Sequence, residues 1–206
     1  MNIFIGNFIE VLQAYHFKMT VDLVIVEKNK VNSEIKKYVQ DNRIQIIEIE
    51  SVKQIEELAI KHKFNLVIIA SFGIILSHLI IQKSDKILNF HPGSLETCRG
   101  RHPLPFAIKK KLDFMSITVH EIINTKVDNG PVICELKLPI NYNTSYEENE
   151  KYLRSFLKNL TVSLLDNILT NSLPTSSIIV GGYNQKLSSD ELEQIINTKN
   201  LSYLKL

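Results

Sequence analysis

An asparagine and a histidine two residues apart, Asn89 and His91, are the first side chains here that could do chemistry together. They end the short apolar run Ile87–Phe90, which predicts a strand that stops before Pro92, because proline cannot donate to a central ladder. Side chains two apart on a strand share a face, so the amide and the imidazole should project together. The amide can donate a hydrogen bond to a developing oxyanion, and the imidazole can move a proton near neutrality. The alternative is a buried polar strand end that the backbone satisfies.

A carboxylate further along the chain is the third candidate. Asp128 begins the triplet Asp128-Asn129-Gly130. A carboxylate beside an imidazole orients the ring or relays its proton, which is the third-group arrangement of an activated site. The same triplet is a strong turn signal, so a turn without chemistry is the alternative.

Basic residues follow the predicted strand. Arg99 and Arg101 have the fork geometry that pairs bidentately with a phosphate, although solvation or a structural ion pair explains Arg101 equally well. His102 lies between the strand and the next predicted helix, where it could face a substrate. Three consecutive lysines, residues 109–111, end that helix, and they suit its C-terminal dipole better than they suit a phosphorylated ligand.

The composition indicates one globular domain. The 206 residues suffice to bury a core. A net charge of +2 gives no general electrostatic reason to bind nucleic acid. Cys98 and Cys134 form neither a disulfide framework nor a zinc-ligand pattern, so we expect no metal and a reducing, cytoplasmic setting. The N-terminus shows no signal peptide, and the apolar run Leu66–Ile81 is too short and too interrupted to cross a membrane.

Apolar runs alternate with amphipathic stretches over the first half of the chain. The predicted strands are Asn2–Ile5, Val21–Val26, Ile44–Ile49, Asn65–Ala70 and Ile87–Phe90, and the predicted helices are Phe8–His16, Val31–Asp41, Ser51–Lys61 and Ile74–Ile81. This alternation predicts an α/β fold with a doubly wound, mostly parallel, Rossmann-like sheet and right-handed crossovers. No stretch reads Gly-x-Gly-x-x-Gly, so the sheet does not predict a dinucleotide site.

The second half predicts a short helix, two strands and a long helix. These are Leu104–Lys111, Ser116–Ile122, Val132–Pro139 and Glu147–Leu169. We place a catalytic core at residues 1–170 and a short C-terminal extension at residues 171–206. The extension should hold a capped helix after Ser188. Its stretch Ser176–Tyr183 has apolar strand character, so we expect it to contribute to a homodimer interface.

Four motifs, taken in order, resemble the formyltransferases that use N10-formyltetrahydrofolate. The motifs are Asn89-x-His91, Ser94-Leu95, Arg99-Gly100 and Asp128-Asn129-Gly130-Pro131. The resemblance runs from about Met1 to Leu169. It implies formyl transfer from the folate to an amine through a tetrahedral intermediate. Asn89 would then serve the oxyanion, His91 would be the base or electrostatic partner, and Asp128 would orient the imidazole or relay the proton.

The resemblance also implies which residues contact the two substrates. Main-chain groups of two loops would hold the pterin of the folate: Ser71, Phe72, Gly73, Ile74, Ile75 and Leu76 in one loop, and Thr125, Lys126 and Val127 before Asp128 in the other. An apolar loop with a glycine can approach a flat heterocycle closely. The residues around the acceptor would be Gly93, Ser94, Arg99, Gly100, Arg101 and His102.

Within that family the chain is similar to bacterial nucleotide-sugar N-formyltransferases, which act on dTDP-linked amino-dideoxy sugars. Phe90, Gly93 and the stretch from Tyr183 to Ser188 fit that group. The similarity implies dTDP-4-amino-4,6-dideoxyglucose as the acceptor, for a surface polysaccharide such as the O-antigen of lipopolysaccharide. Residues 96–98 depart from the group, because Glu-Thr-Cys stands where Pro, a basic residue and Tyr are usual.

Two alternatives stay open at this point. One is a glycinamide ribonucleotide formyltransferase of purine synthesis, although those enzymes carry a glycine- and asparagine-rich first loop that residues 5–10 lack. The other is an inactive relative that binds folate or nucleotide without turnover, which the altered residues 96–98 would suit. A methionyl-tRNA enzyme would carry an additional tRNA-binding domain, and a deformylating hydrolase an additional regulatory domain.

Overall fold

The computed structural model describes residues 1–28, 30–170 and 181–204. Seven strands form one sheet: β1 (Asn2–Gly6), β2 (Leu23–Glu27), β3 (Gln45–Ile49), β4 (Phe64–Ala70), β5 (Ser84–His91), β6 (Phe114–Glu121) and β7 (Val132–Pro139). The helices are α1 (Ile9–Lys18), α2 (Ser33–Asp41), α3 (Val52–Lys61), α4 (His78–Gln82), α5 (Pro103–Lys109), α6 (Tyr146–Ser155), α7 (Leu157–Leu169) and α8 (Ser189–Asn197). A single 3₁₀ turn, Leu201–Tyr203, follows α8.

The strand order is β3-β2-β1-β4-β5-β6-β7. The first five strands are parallel, whereas β6 runs antiparallel to both β5 and β7. The predicted fold class is therefore confirmed, with an antiparallel edge added to a parallel sheet. The carboxyl end of β5 lies where the parallel part meets the antiparallel part.

Helices cover both faces of the sheet, so the sheet has a hydrophobic core on each side. The side chains of each strand alternate between these two cores. Phe4 packs in the larger core with Leu12 of α1 and Leu165 of α7. Ile3, one residue earlier, packs on the other face with Ile55 of α3. Continuous apolar strands such as β2 are the consequence of this double cover.

Two predicted helices differ from those observed. The helix predicted over Ile74–Ile81 begins only at His78, after the N-cap Ser77, and residues 71–77 form an irregular loop. The long helix predicted over Glu147–Leu169 is divided at Phe156, whose amide donates to Leu153 O at 3.2 Å. This i to i−3 bond makes one tighter turn between the two helices. The break was not predicted because no proline or glycine lies in this part of the sequence.

The described part of the C-terminal extension packs on the core of its own chain. Ile195 of α8 is fully buried, and the Leu201 amide donates to Thr144 O at 2.9 Å. Lys109 of α5 forms an ion pair with Glu191. Most of the stretch predicted to form a dimer interface, residues 176–180, lies outside the described residues. Within the described ranges, no helix is long and apolar enough to span a bilayer.

Candidate active site

One cavity of about 590 Å³ opens at the carboxyl ends of the parallel strands. It is lined by residues that follow β1, β2, β4 and β5, by the loop between β6 and β7, and by parts of α5, α6 and α8. Ligands of open α/β sheets bind at this edge, where loops diverge to opposite faces. The volume is in the usual range for a small-molecule site.

Asn89, His91 and Asp128 meet in this cavity. Nδ2 of Asn89 donates to Oδ1 of Asp128 at 3.2 Å, and Nδ1 of His91 lies 3.6 Å from Oδ2 of the same carboxylate. The amide and the imidazole come from β5, and the carboxylate comes from the β6–β7 loop. The structure therefore brings together the three residues that the sequence suggested, with Asp128 between the other two.

The backbone carbonyl of Cys98 fixes which nitrogen of His91 carries a proton. Nε2 of His91 lies 3.0 Å from Cys98 O, and a carbonyl can only accept, so Nε2 must be the protonated nitrogen. In the neutral ring Nδ1 then holds the lone pair, on the side of Asp128. Burial lowers the pKa of His91 below its ordinary value, against the opposing charge of Asp128. The ring is thus set up as a neutral base.

Asp128 is held as a carboxylate. Burial by itself raises its pKa, but the contact with His120, the proximity of His91 and the Gly100 amide bring the pKa below its ordinary value. Gly100 N donates to Oδ2 at 3.0 Å. Asp128 has a φ of 44°, in the left-handed region that aspartate tolerates better than most residues.

His120, which none of the motifs in the sequence includes, also belongs to this network. Its Nε2 lies 3.0 Å from Nδ2 of Asn89 and 3.4 Å from Oδ1 of Asp128, and the side chain is fully buried. Asn89 and His120 are direct partners in the β5–β6 register. The pairing register of β5 with β6, and the irregularity beside Val119 in β6, cannot be predicted from the sequence of one strand.

The pH dependence of catalysis should follow from the burial of His91. Since burial disfavours the imidazolium, the base stays neutral as the pH falls through 6.5, the ordinary pKa of histidine, and is protonated only below it. We therefore expect the acidic limb of kcat/KM to have its midpoint below 6.5. A profile measured from about pH 5 to 8 checks this, and a midpoint above 6.5 would contradict the assignment of His91 as the buried base.

The loop of residues 71–76 forms one wall of the cavity, as predicted for the folate loop. Ile75 is 57% exposed, and among the described residues the backbone groups of Ile74, Ile75 and Leu76 make no hydrogen bond. Free donors and acceptors beside apolar side chains suit a flat heterocycle with polar edges. This wall has the chemistry to bind a flat ring with polar edges.

Glu27, at the end of β2, anchors this loop and was not anticipated from the sequence. Its carboxylate accepts from Gly73 N at 2.7 Å and also binds Lys30. Arg101 reaches the same loop, donating to Gly73 O at 3.2 Å. A lone acid at the carboxyl end of an apolar parallel strand was the only signal for this role.

The remaining residues suggested for the folate and the acceptor fall into two groups. Thr125, Lys126, Val127, Gly100, Arg101 and His102 line the cavity. Gly93, Ser94 and Arg99 do not: Gly93 O accepts from Thr118 Oγ1, Ser94 O accepts from Cys98 N, and Arg99 donates to Gly181 O. These three positions shape the neighbouring loop, because the chain turns away from the cavity after Pro92 and returns at Gly100.

Tyr183 lines the cavity from the extension, and this position was not predicted as a site residue. Its ring is 47% exposed, with the Arg99 guanidinium 5.7 Å from the ring centroid. Arg154 also lines the cavity but is already paired with Glu10 at 3.0 Å. Within the described ranges, no group of three or more His, Cys, Asp or Glu side chains could hold a metal ion.

Comparison with known proteins identifies the family to which most of the chain belongs. Residues 7–165 match the family described as formyl transferase. Mouse mitochondrial methionyl-tRNA formyltransferase is 28% identical over 116 residues, which cover 54% of this chain and 30% of that protein. The chain spans less than half the length of the curated relatives that it matches.

Solved structures with low sequence identity share the fold. An N-formyltransferase from Helicobacter canadensis, in complex with folinic acid and dTDP-3-aminofucose, has a TM-score of 0.73 at 22% identity, covering 89% of this chain and 70% of that one. Glycinamide ribonucleotide transformylase 1 from Symbiobacterium toebii has a TM-score of 0.72 at 16% identity, covering 88% and 93%. With its sheet, its cavity and the family match over residues 7–165, the chain belongs to the formyl transferase family of enzymes.

Proposed function

We propose that this protein transfers a formyl group from N10-formyltetrahydrofolate to the amino group of a nucleotide-linked amino sugar. The observation that carries the proposal is the cluster of Asn89, His91 and Asp128 beside a cavity wall with free backbone groups. The folate would supply the activated formyl group. Residues 71–76 and 125–127 would hold its pterin, and the chemistry at the amine would fall to the three clustered side chains.

His91 would accept the proton that the attacking amine must lose. Its Nδ1 lone pair faces the cavity edge where Asp128 lies, and the proton on Nε2 is already committed to Cys98 O. Once Nδ1 is protonated, the imidazolium lies 3.6 Å from a carboxylate, which stabilises it. General-base assistance of this kind contributes about 10²–10⁴-fold.

Asn89 would donate to the charge that develops on the formyl oxygen. In the structure its Nδ2 is engaged by Asp128 Oδ1 and lies beside His120 Nε2. Donation to an oxyanion therefore requires that one of these two contacts be exchanged for the substrate. Because the amide is already held in the cavity by its neighbours, this exchange needs little reorganisation.

The choice of a nucleotide-linked acceptor has its own support. Tyr183 presents an exposed ring face inside the cavity, and an aromatic face stacks well on a nucleotide base. The Helicobacter canadensis structure holds a dTDP-linked amino sugar with a folate in the same fold.

A panel of acceptors tests the proposed function. The protein is incubated with N10-formyltetrahydrofolate and dTDP-4-amino-4,6-dideoxyglucose, its 3-amino and galactose-configured relatives, glycinamide ribonucleotide or methionyl-tRNA, and products are identified by mass. Gain of one formyl group on an amino sugar supports the proposal, and with it a role in surface-polysaccharide synthesis. Formylation of only the ribotide or the tRNA would overturn the acceptor, and folate binding without any product would indicate an inactive relative.

Tyr183→Ala should raise KM for the nucleotide sugar by about 5- to 150-fold, the equivalent of one lost stacking contact. KM for the folate should stay close to wild type, since Tyr183 approaches the cavity from the extension and the folate loops lie elsewhere. Steady-state kinetics in both substrates measures the two constants separately.

Tyr183→Phe is the matched control, because it keeps the ring and removes only the hydroxyl. This variant should retain most of the wild-type affinity for the nucleotide sugar. An unchanged acceptor KM in Tyr183→Ala would remove the stacking role.

A further inference from the structure

A short segment of the extension, Gly181–Asn184, lies along the loop Leu95–Gly100; we call it the strap. Gly181 N donates to Leu95 O at 2.9 Å, and Asn184 N donates to Arg99 O at 3.0 Å. Asn184 also forms a parallel bridge with Gly100. The strap therefore pairs with this loop by backbone hydrogen bonds, as one strand pairs with another.

Side chains fasten the same two segments. Nδ2 of Asn184 donates to Thr97 O at 3.0 Å, and its Oδ1 accepts from Lys110 Nζ at 2.9 Å. Lys110 also donates to Thr97 O at 2.6 Å, and Arg99 donates to Gly181 O at 3.1 Å. The Thr97 carbonyl, one residue before Cys98, is thus held by two donors.

Two glycines let the strap and the loop approach each other closely. A Cβ at Gly181 would lie 1.7 Å from Glu96 O, and a Cβ at Gly100 would lie 2.7 Å from Asn184 O. Gly100 also has a φ of 103°, which side chains rarely adopt. Both glycines therefore permit a close backbone contact, because the Cβ of any other residue would push the strap and the loop apart.

The loop under the strap supplies two backbone groups to the catalytic cluster. Cys98 O holds Nε2 of His91 at 3.0 Å, and Gly100 N donates to Oδ2 of Asp128 at 3.0 Å. The Cys98 thiol is buried and burial raises its pKa, so the contribution of this residue to the site comes from its carbonyl. Where the loop lies thus decides the tautomer of His91 and the orientation of Asp128.

We propose that the strap is a positioning element of the active site and that Asn184 is its positioning residue. Asn184 acts on Thr97 and Arg99, these fix the Cys98 carbonyl between them, and that carbonyl keeps the proton of His91 on Nε2. The strap lies beyond residues 7–165, which the family match covers. The proposal concerns the base of the proposed formyl transfer and rests on that function for its kinetic readout.

Asn184→Ala tests the proposal in the full-length protein. Loss of two side-chain hydrogen bonds should let the Cys98 carbonyl drift, and misplacement of a catalytic group by about 1 Å costs up to about 10²-fold in rate. We expect kcat to fall about 10- to 100-fold. KM for the folate should stay within about two-fold, because Asn184 does not line the cavity and the loops proposed to hold the folate lie elsewhere in the chain.

The tautomer of His91 gives a readout that loss of stability alone would not move. In ¹⁵N-histidine-labelled wild type at neutral pH, the nitrogen shifts of His91 should show protonated Nε2 and unprotonated Nδ1. In Asn184→Ala they should show a mixture of both tautomers. This measurement needs no acceptor, so it tests the strap even if the proposed formyl transfer is wrong.

Two further variants complete the experiment. Lys110→Met removes the second donor to Thr97 O and should reproduce the tautomer mixture in part. Glu193→Ala, an exposed position in the same extension, should match wild type in rate and tautomer. Wild-type turnover in Asn184→Ala, or a fall in kcat with the tautomer of His91 unchanged, would overturn the proposal.

Discussion

Replacement of His91 by alanine should lower kcat by about 10²–10⁴-fold, the usual contribution of a general base. The imidazole is buried, its Nε2 proton is committed to Cys98 O, and its Nδ1 faces Asp128 across 3.6 Å. No other described side chain in the cavity combines a neutral base with a neighbouring carboxylate in this way. Folate affinity should change little, because the two loops proposed to hold the pterin, residues 71–76 and 125–127, do not include His91.

The measurement compares single-turnover formyl transfer with folate binding by fluorescence titration in the same preparations. His62→Gln is the matched control, since His62 is exposed and lies away from the cavity. Thermal unfolding of His91→Ala should remain cooperative, which separates lost chemistry from lost structure. Turnover of His91→Ala within about three-fold of wild type would remove the histidine from the mechanism.

Asp128→Asn should lower kcat by at least about 10²-fold while the fold is kept. Asparagine accepts the left-handed backbone of this position, and its Oδ1 can still accept from Gly100 N. What it cannot do is stabilise the imidazolium that His91 becomes. The charge of Asp128 raises the pKa of His91, so its removal should lower that pKa further.

The prediction for Asp128→Asn therefore has a second part. The acidic limb of kcat/KM should move to lower pH, because the histidine is harder to protonate once the carboxylate charge is gone. Asp41→Asn, an exposed position at the end of α2, is the control for loss of one negative charge. A fall in rate with the acidic limb unmoved would mean that Asp128 does not act through His91.

The sequence predicted those parts of the fold and site that short-range patterns determine. The alternation of apolar runs with amphipathic stretches located nearly every strand and helix of the fold. The spacing of Asn89 and His91 placed both at one strand end, and family resemblance added Asp128. All three meet in one cavity in the structure.

What the sequence could not predict depends on register and on contacts between distant segments. His120 entered the network because β6 pairs with β5 opposite Asn89, and strand pairing leaves no mark on a single strand. Glu27 anchors residue 73 across 46 positions of the chain. The apolar residues Ile74 and Ile75 suggested a helix, although they lie in a loop whose backbone stays free to bind.

The strap also sets an order of events during synthesis. Ribosomes synthesise a chain from its N-terminus at about 5–20 residues per second, so residues 181–184 emerge after all seven strands. The strands that carry Asn89 and His120 can pair before residues 181–184 leave the ribosome, because the sheet's hydrogen bonds do not involve the strap. A nascent chain should therefore acquire its sheet first and its catalytic tautomer afterwards, when Asn184 reaches the Thr97 carbonyl. Acquisition of structure and acquisition of reactivity are then two separate steps in the life of this protein.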